Sequence, residues 1–544
     1  MKRKIWICAL VCALTAVFCV GIAAVQYQYN GSSDRYIDHI VNADADSGLG
    51  AAAIPEDRMV GADFVSHLPL VVIDTGGQEI VNYKRFSAET SSYEVPEGID
   101  PYFPMQIRVY DSENHCNRPS DEASLSSAGR IKVRGNSSAA PTLPKFQYTL
   151  KLETEDGEEQ PLCMMGIGTD DTWILNPTVH DKSRIRNYLA YNIAGQLEAS
   201  TPDLRYCEVL FAKEDGYYYG GLYMMCESVK VSPERVNIQK DATGYQVGNG
   251  YLICRDRYSE SKVILDTWGT RAGYNTDTEG TTNKAIRTFL SLEYPKNEAA
   301  TPEFIASVEQ EISEIEMALY GEKGYSQSEI NKMMDMDSFA EYMIINEFFC
   351  NYDAGHHSTY MYKSPYGKLT AGPYWDYDGA MDNWNTALLN NETFTLWGYP
   401  WFEKLIRMED FEERVEKRYR ELRNTILSDE YLADFIDGTV SYLGNALLRE
   451  DSAYGDYSYI TDVITEEGTG LPVDRRRESA AAEAQRIKDV LLLRGEFMDK
   501  NINTLQGFVE YRYNAASANT VLAVFLILAF LVSTVLARRY RQIR

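Results

Sequence analysis

The sequence predicts an α+β fold with a strand-rich N-terminal part and a helical C-terminal part, flanked by membrane segments. Three observations carry this. Short apolar or alternating runs follow one another from residue 61 to about 155. Long stretches that read as helices dominate beyond residue 405. Charge-free apolar segments stand near both ends of the chain. Strands first, then a mixed region, then helices, suits a sheet-rich front lobe and a helical back lobe.

Taken in order, Lys2, Arg3 and Lys4 precede an apolar run from Ile5 to Val25. A basic start before apolar sequence reads as a signal peptide, or, at this length, as an N-terminal transmembrane anchor, over residues 1–25. Residues 26–60 are rich in Asp, Ser, Gly and Ala and read as a linker. Strands are expected at Leu70–Asp74, Gln106–Tyr110 and Phe146–Leu152. Ile185, Leu189, Ile193 and Leu197 recur every four residues and predict a helix over Lys182–Ala199. A hairpin follows, Arg205–Ala212 against Tyr217–Met225, with a further strand at Tyr251–Cys254. Residues 255–283 are polar and read as a loop or insertion. Helices are expected over Pro302–Tyr320 and Ser338–Phe349, the second with Ser338 and Glu341 spaced as a capping box. Ser358–Lys363 and Leu369–Trp375 read as a second hairpin. The helices Phe411–Leu427, Glu430–Arg449 and about Arg476–Leu505 complete the folded part, either as an extension over residues 401–510 or as a spacer to the membrane.

No charge falls between Arg512 and Arg538, and the run closes on Arg538, Arg539, Arg541 and Arg544. This predicts a transmembrane helix over residues 519–537 and a basic cytoplasmic tail over 538–544. Basic residues at both ends place both ends inside by the positive-inside rule. The large domain, residues 61–510, is then expected outside the cytoplasm and tethered to the cell membrane.

A net charge of −27 over 544 residues, with no dense Lys/Arg run in the middle, argues against a nucleic-acid partner. It suits a solubilising surface, or carboxylates that take divalent cations or a basic partner. Six cysteines lie beyond the first apolar segment: Cys116, Cys163, Cys207, Cys226, Cys254 and Cys350. None forms a C-x-x-C pair, so a zinc ribbon or thioredoxin-like motif is not indicated. Disulfides and buried free thiols are both open to them.

Three constellations carry chemistry. Arg134-Gly135-Asn136-Ser137-Ser138 is a turn between strands whose backbone N–H groups suit a phosphate, with Lys145 and Lys151 downstream. Asn351-Tyr352-Asp353 follows a strongly apolar helix, which places an Asp rigidly at a loop where it can orient or deprotonate a hydroxyl. His356 and His357 are adjacent and would diverge on a strand, so a histidine metal site is not expected. Trp375-Asp376-Tyr377-Asp378-Gly379 ends a strand with two hard carboxylates of the kind Mg²⁺ or Ca²⁺ prefers. Asp353 and Asp376 flank a hairpin, the layout that brings a catalytic Asp and a metal Asp to one site in kinase-type folds.

In this order, the RGNSS turn with its Lys, the Thr201–Glu227 hairpin with Gly220-Gly221-Leu222-Tyr223, the NYD loop and the WDYD strand end resemble the CotH (spore-coat-protein-H-like) family of atypical protein kinases. The resemblance covers about residues 100–400, extending toward 500. It implies a protein-kinase-like two-lobed fold, ATP with Mg²⁺ (or Ca²⁺ or Mn²⁺) as cofactors, and a surface or envelope protein as substrate. It implies Asp353 as catalytic Asp, Asp376 as metal ligand assisted by Asp378, and Lys145, or Lys151, at the phosphates. Glu227 is then either that Lys's partner or the close of the hairpin, and Arg134 and Ser137 sit near the phosphates. Many members of the family have Asn where this chain has Ser358. Ser358 is therefore a weaker, neutral metal ligand, and a kinase-like scaffold without strong activity is the alternative. A glycan-active enzyme with paired carboxylates and sugar-stacking aromatics is a third reading, but it leaves the RGNSS turn without a role.

Overall fold

The computed structural model describes residues 35–505 and 507, apart from 91, 239–249, 260, 275–287, 297–298, 322–323, 352, 384–392 and 456–478. The fold is mixed α and β, strand-rich on its N-terminal side and helical on its C-terminal side, as the sequence predicts. The apolar segments 1–25 and 519–537 and the tail 538–544 lie outside the described residues. Among the described residues no helix is long and apolar enough to cross a membrane.

The N-terminal part is built from β1 (Met59–Val60), β2 (Leu70–Asp74), β3 (Phe103–Tyr110), β4 (Leu125–Val133), β5 (Tyr148–Glu153), β6 (Thr172–Asn176), β7 (Leu204–Lys213) and β8 (Gly216–Glu227). Pairing runs β8–β6–β5–β4–β3–β2–β7, and β7 pairs back onto β8, so these strands close into a ring. Closure removes the open edges that a flat sheet would expose. β1 pairs with β8 as well, and β2–β7 is the parallel contact in an otherwise antiparallel ring. Alternate residues of each strand face a shared core that includes Val71, Ile107, Ile131, Leu150, Trp173, Val209 and Met225. The hairpin β7–β8 matches the sequence expectation and carries a register shift between Val209 and Leu210.

A second sheet comprises β9 (Tyr251–Arg257), β10 (Val263–Ile264), β11 (Thr288–Tyr294), β12 (Thr359–Lys363) and β13 (Thr370–Ala371), in the order β10–β11–β9–β12–β13. The helices are α1 (Asp38–Val41), α2 (Arg186–Ala194), α3 (Trp268–Ala272), α4 (Pro302–Leu319), α5 (Gln327–Met333), α6 (Met336–Phe348), α7 (Phe402–Leu405), α8 (Glu409–Arg423), α9 (Asp429–Tyr454) and α10 (Ala480–Asn501). One large core joins α2, the second sheet and α4 to α10.

Several expectations are corrected. Residues 35–60 are packed rather than a free linker: Asp38 is fully buried and pairs with Arg205 at 2.8 Å, while Arg35 binds the Thr201 and Pro202 carbonyls. Their polar composition conceals buried ion pairs. Helix α2 starts later than Lys182, because Asp181 folds the preceding residues into a turn by accepting from the Ser183, Ile185 and Arg186 backbone N–H groups. Asp335, not Ser338, caps α6, and the capping box is instead Ser326 with Glu329 on α5. The six cysteines named above are all free thiols. Helices α9 and α10 are no spacer. Arg449 pairs with Glu208 of β7 at 2.5 Å, and Arg494 pairs with Glu347 of α6 at 2.8 Å, all four side chains being buried.

Lys145 is buried in the same junction. Its Nζ donates to Glu450 Oε1 at 2.8 Å and to Leu222 O at 2.8 Å. Gly221, at φ +107°, makes room for it: a Cβ there would lie 2.9 Å from Lys145 Nζ and 2.6 Å from Glu450 Oε2. Burial pushes the Lys145 ammonium down to about 8. Removing one partner of such a pair strands a buried charge and costs about 3–5 kcal/mol. Glu450→Gln is therefore expected to lower stability by about that amount in denaturant melts, since Arg184, 3.5 Å from Glu450 Oε1, loses the same carboxylate.

Candidate active site

Three segments converge on a cavity of about 580 Å³. The first is the turn after β4. The Arg134 N–H donates to Gln147 O at 2.8 Å, which closes the turn against the start of β5. Gly135 sits at φ +94°, and a Cβ there would fall 1.7 Å from Ser138 Oγ, so this position needs glycine. Asn136 Oδ1 accepts from the Tyr93 N–H at 2.8 Å. Lys84 reaches in from an earlier loop and donates to Gly135 O at 2.5 Å and to Tyr93 O at 3.2 Å. Burial, with Lys132 and Arg134 nearby, pushes the Lys84 ammonium down to about 8.

The second segment is the acidic loop after β13. Helix α2 holds its backbone: the Asp376 N–H donates to Tyr191 OH at 3.1 Å, and the Tyr377 N–H to Asn187 Oδ1 at 2.7 Å. Arg186 donates to the Ala380 and Met381 carbonyls at 3.0 and 3.1 Å. Asp376, Met381 and Asp382 have φ of +69°, +49° and +66°, conformations that non-glycine residues hold only when their surroundings impose them. The loop's side chains meet the basic turn, the Arg134 guanidinium lying 5.3 Å from the centre of the Trp375 ring.

The third segment follows α6. Asn351 bonds the Asn346 carbonyl and side chain, and its Oδ1 accepts from the Asp353 N–H at 3.2 Å. Asn346 Oδ1 also accepts from Tyr377 OH at 2.8 Å, which couples this loop to the acidic one. Asp353 O accepts from the His356 and His357 N–H groups, making a tight turn.

Asp353, Asp376 and Asp378 all line the cavity. Burial and the Asp376 charge push Asp353 up to about 7. Burial and Asp378 raise Asp376 well above the ordinary carboxylate range, and burial raises Asp378 to about 6. Three half-buried carboxylates lining one cavity repel one another, and an all-oxygen donor set of this kind fits a hard divalent cation. Arg134 and Lys84 line the same cavity and supply positive charge. Carboxylates and a cationic turn on one cavity suit a cation-bound polyphosphate.

The family model described as CotH kinase protein matches residues 131–514. The chain belongs to the CotH kinase family. No curated protein matches it. The match takes in α8 to α10 as well as the motifs read from sequence, so the helical extension belongs to the CotH domain.

In this CotH-family chain the structure brings together Arg134, Asp353, Ser358, Asp376 and Asp378, all on the cavity wall. Ser358 Oγ donates to Asp376 Oδ2 at 3.3 Å. Ser137 lies in a short 3₁₀ turn, Ser137–Ala139, within the same segment. Tyr352 lies outside the described residues. Lys145 does not reach the cavity, because Glu450 and Leu222 O hold it between β8 and α9. Lys151 sits on β5 opposite Arg130 and Thr172, 5.9 Å from the centre of the Tyr102 ring. Among the described residues Glu227 pairs with no lysine. Its Oε2 accepts from the Asp203 N–H at 2.9 Å, closing the hairpin, and Arg235 lies 3.5 Å from Oε1. Lys84, Asn187, Asp256 and Arg257 also line the cavity and have no motif that marks them in sequence. His356 and His357 do not diverge, because they stand on a turn and not on a strand. Their ring centres are 4.2 Å apart.

Asp353 binds its proton more tightly folded than at its ordinary value of 3.8. Between about pH 4 and pH 7 the folded state therefore holds the extra proton, and stability falls as pH rises through that window. Without added cation, the melting temperature is expected to drop from pH 5 to pH 8, and Asp353→Asn to flatten part of that slope. Thermal melts of both proteins across this range check it.

Proposed function

We propose that this protein is an extracytoplasmic, membrane-anchored atypical kinase. It transfers the γ-phosphate of ATP to Ser or Thr hydroxyls of a surface or envelope protein. The observation that carries this reading is that Asp353, Asp376 and Asp378 share one cavity of about 580 Å³ with Arg134 and Lys84. Membership of the CotH kinase family supports nucleotide and divalent-metal use in general.

In this reading Asp376 and Asp378 hold Mg²⁺, which when bound supplies charge neutralisation at the phosphates. Arg134 and Lys84 bind and orient the phosphate oxygens, in place of Lys145 and Lys151. Asp353 accepts the proton of the acceptor hydroxyl as that oxygen bonds to the γ-phosphorus and the bond to the β-phosphate oxygen breaks, leaving ADP and a phosphoester. Asn187 and Tyr191 keep Asp376 in its left-handed conformation so that both carboxylates face the cavity. The anchoring rests on the apolar segments 5–25 and 519–537 and their basic flanks, which place the domain outside the cytoplasm and the tail inside.

A second reading has one observation in its favour. Ser358 is a neutral hydroxyl already bonded to Asp376, so it adds no charge to a cation site. A chain of this kind binds metal and nucleotide as a kinase-like scaffold and transfers phosphate weakly.

Phosphate incorporation by the full-length protein with Mg²⁺-ATP separates the two. Asp353→Asn is expected to lose transfer by at least about 10²-fold while retaining nucleotide binding. Asp376→Asn is expected to lose transfer together with the metal dependence of nucleotide binding. Transfer at the wild-type rate by Asp376→Asn contradicts the proposal, and wild-type binding without transfer selects the scaffold.

A further inference from the structure

The turn that carries Asp353 also gathers two imidazoles. Asp353, His356 and His357 each offer a ligand atom, and these atoms lie within 4.8 Å of one another. The cause is local backbone geometry. Asp353 O accepts from the His356 and His357 N–H groups, at 3.3 and 2.7 Å, which folds the histidines back over the aspartate. Gly355 makes the fold possible at φ +85°. A Cβ there would lie 2.7 Å from Leu396 Cδ2 and 3.1 Å from Tyr399 Cβ. The close approach lets Tyr399 stack on His356, with ring centres 4.3 Å apart and planes inclined by 11°. His356 is thus held by packing before any ligand arrives.

His357 is mostly buried as well, with 12% of its side chain exposed. Its Nδ1 makes no hydrogen bond among the described residues. A buried ring nitrogen without a hydrogen bond lacks the partner that such a group normally finds. Asp256 Oδ1 lies 3.9 Å from it and offers a fourth ligand oxygen.

We infer that Asp353, His356 and His357 form a second metal site, selective for a borderline divalent transition ion such as Zn²⁺. Two imidazoles and one carboxylate suit such an ion, whereas the all-oxygen set of Asp376 and Asp378 suits Mg²⁺. The two sets differ in donor chemistry and share the environment of Asp353. An ion on the histidine side takes the carboxylate that the acceptor hydroxyl needs, a consequence that rests on the kinase reading. The site itself does not.

The test is Zn²⁺ binding by the full-length protein, measured by competition with a chromophoric chelator, with X-ray absorption at the zinc edge to identify the ligands. The wild type is expected to bind one Zn²⁺ with imidazole scattering. His357→Gln and His356→Gln are each expected to weaken it by at least about 10-fold, on the scale that the loss of a metal-site partner produces. The Mg²⁺-dependent rise in melting temperature should be unchanged in both, which also reports that they fold. The X-ray absorption spectrum stands without any variant. Oxygen-only ligation, no zinc bound, or wild-type zinc affinity in both histidine variants overturns the inference. None of these readouts uses phosphate transfer, so failure of the kinase reading leaves them intact.

Discussion

The cavity depends on one buried guanidinium. Arg186 is fully buried at the start of α2 and donates to Asp181 Oδ1, to the Ala380 and Met381 carbonyls, and to Glu483 on α10. Arginine suits this place because its planar fork bonds several acceptors in fixed directions and stays charged when desolvated. Through it, the turn before α2, the acidic loop and the C-terminal helix become one unit. Arg486 of α10 adds a second tie, pairing with Asp382 at 2.5 Å. The acidic loop needs such restraint. Non-glycine residues with φ near +60° cost of order 1–3 kcal/mol each, and Asp376, Met381 and Asp382 all stand there. The geometry that aims Asp376 into the cavity is therefore maintained by the packing around it.

Charge is arranged on the same principle. The chain is strongly acidic, and its acids with little exposure fall into two sets. Asp38, Glu208, Glu347 and Glu450 are each matched to a buried Arg or Lys; three of these pairs tie the ring of strands to helices, and Glu347 with Arg494 ties α6 to α10. Among the described residues Asp353, Asp376 and Asp378 form no ion pair within 4 Å, Arg257 acts on Asp353 and Asp376 from farther off, and burial raises all three. Burial raises Asp38 and Glu347 as well, so what sets the three apart is their clustering on one cavity. The contrast between the two sets separates structural acids from site acids.

Much of this was legible in the sequence where the signal is local. The β7–β8 hairpin, α4 and α6 follow from periodicity within a few residues. The Asp353 loop and the Asp376-x-Asp378 element follow from residue type and spacing. What was hidden depends on distant partners. Lys145 reads as a phosphate ligand because it follows a glycine turn, but its acceptor Glu450 is 305 residues away. Lys84 carries no motif and reaches the cavity only because the RGNSS turn folds against its loop. Residues 35–60 look like a linker by composition, since nothing local announces the pairing of Asp38 with Arg205, 167 residues on. The convergence of His356 and His357 follows from the left-handed Gly355, which a strand assignment misses.

In the proposed kinase the acidic loop and the basic turn are two halves of one site for a cation-bound nucleotide. The most direct test is phosphorus relaxation of ATP by Mn²⁺ on the full-length protein. Mn²⁺ is expected to relax the β- and γ-phosphates of bound ATP. Asp376→Asn is expected to abolish the effect, and Arg134→Met to weaken ATP binding without removing the ion. Bound ATP whose phosphates are unaffected by Mn²⁺, or an Asp376→Asn protein that behaves as wild type, would contradict the proposal.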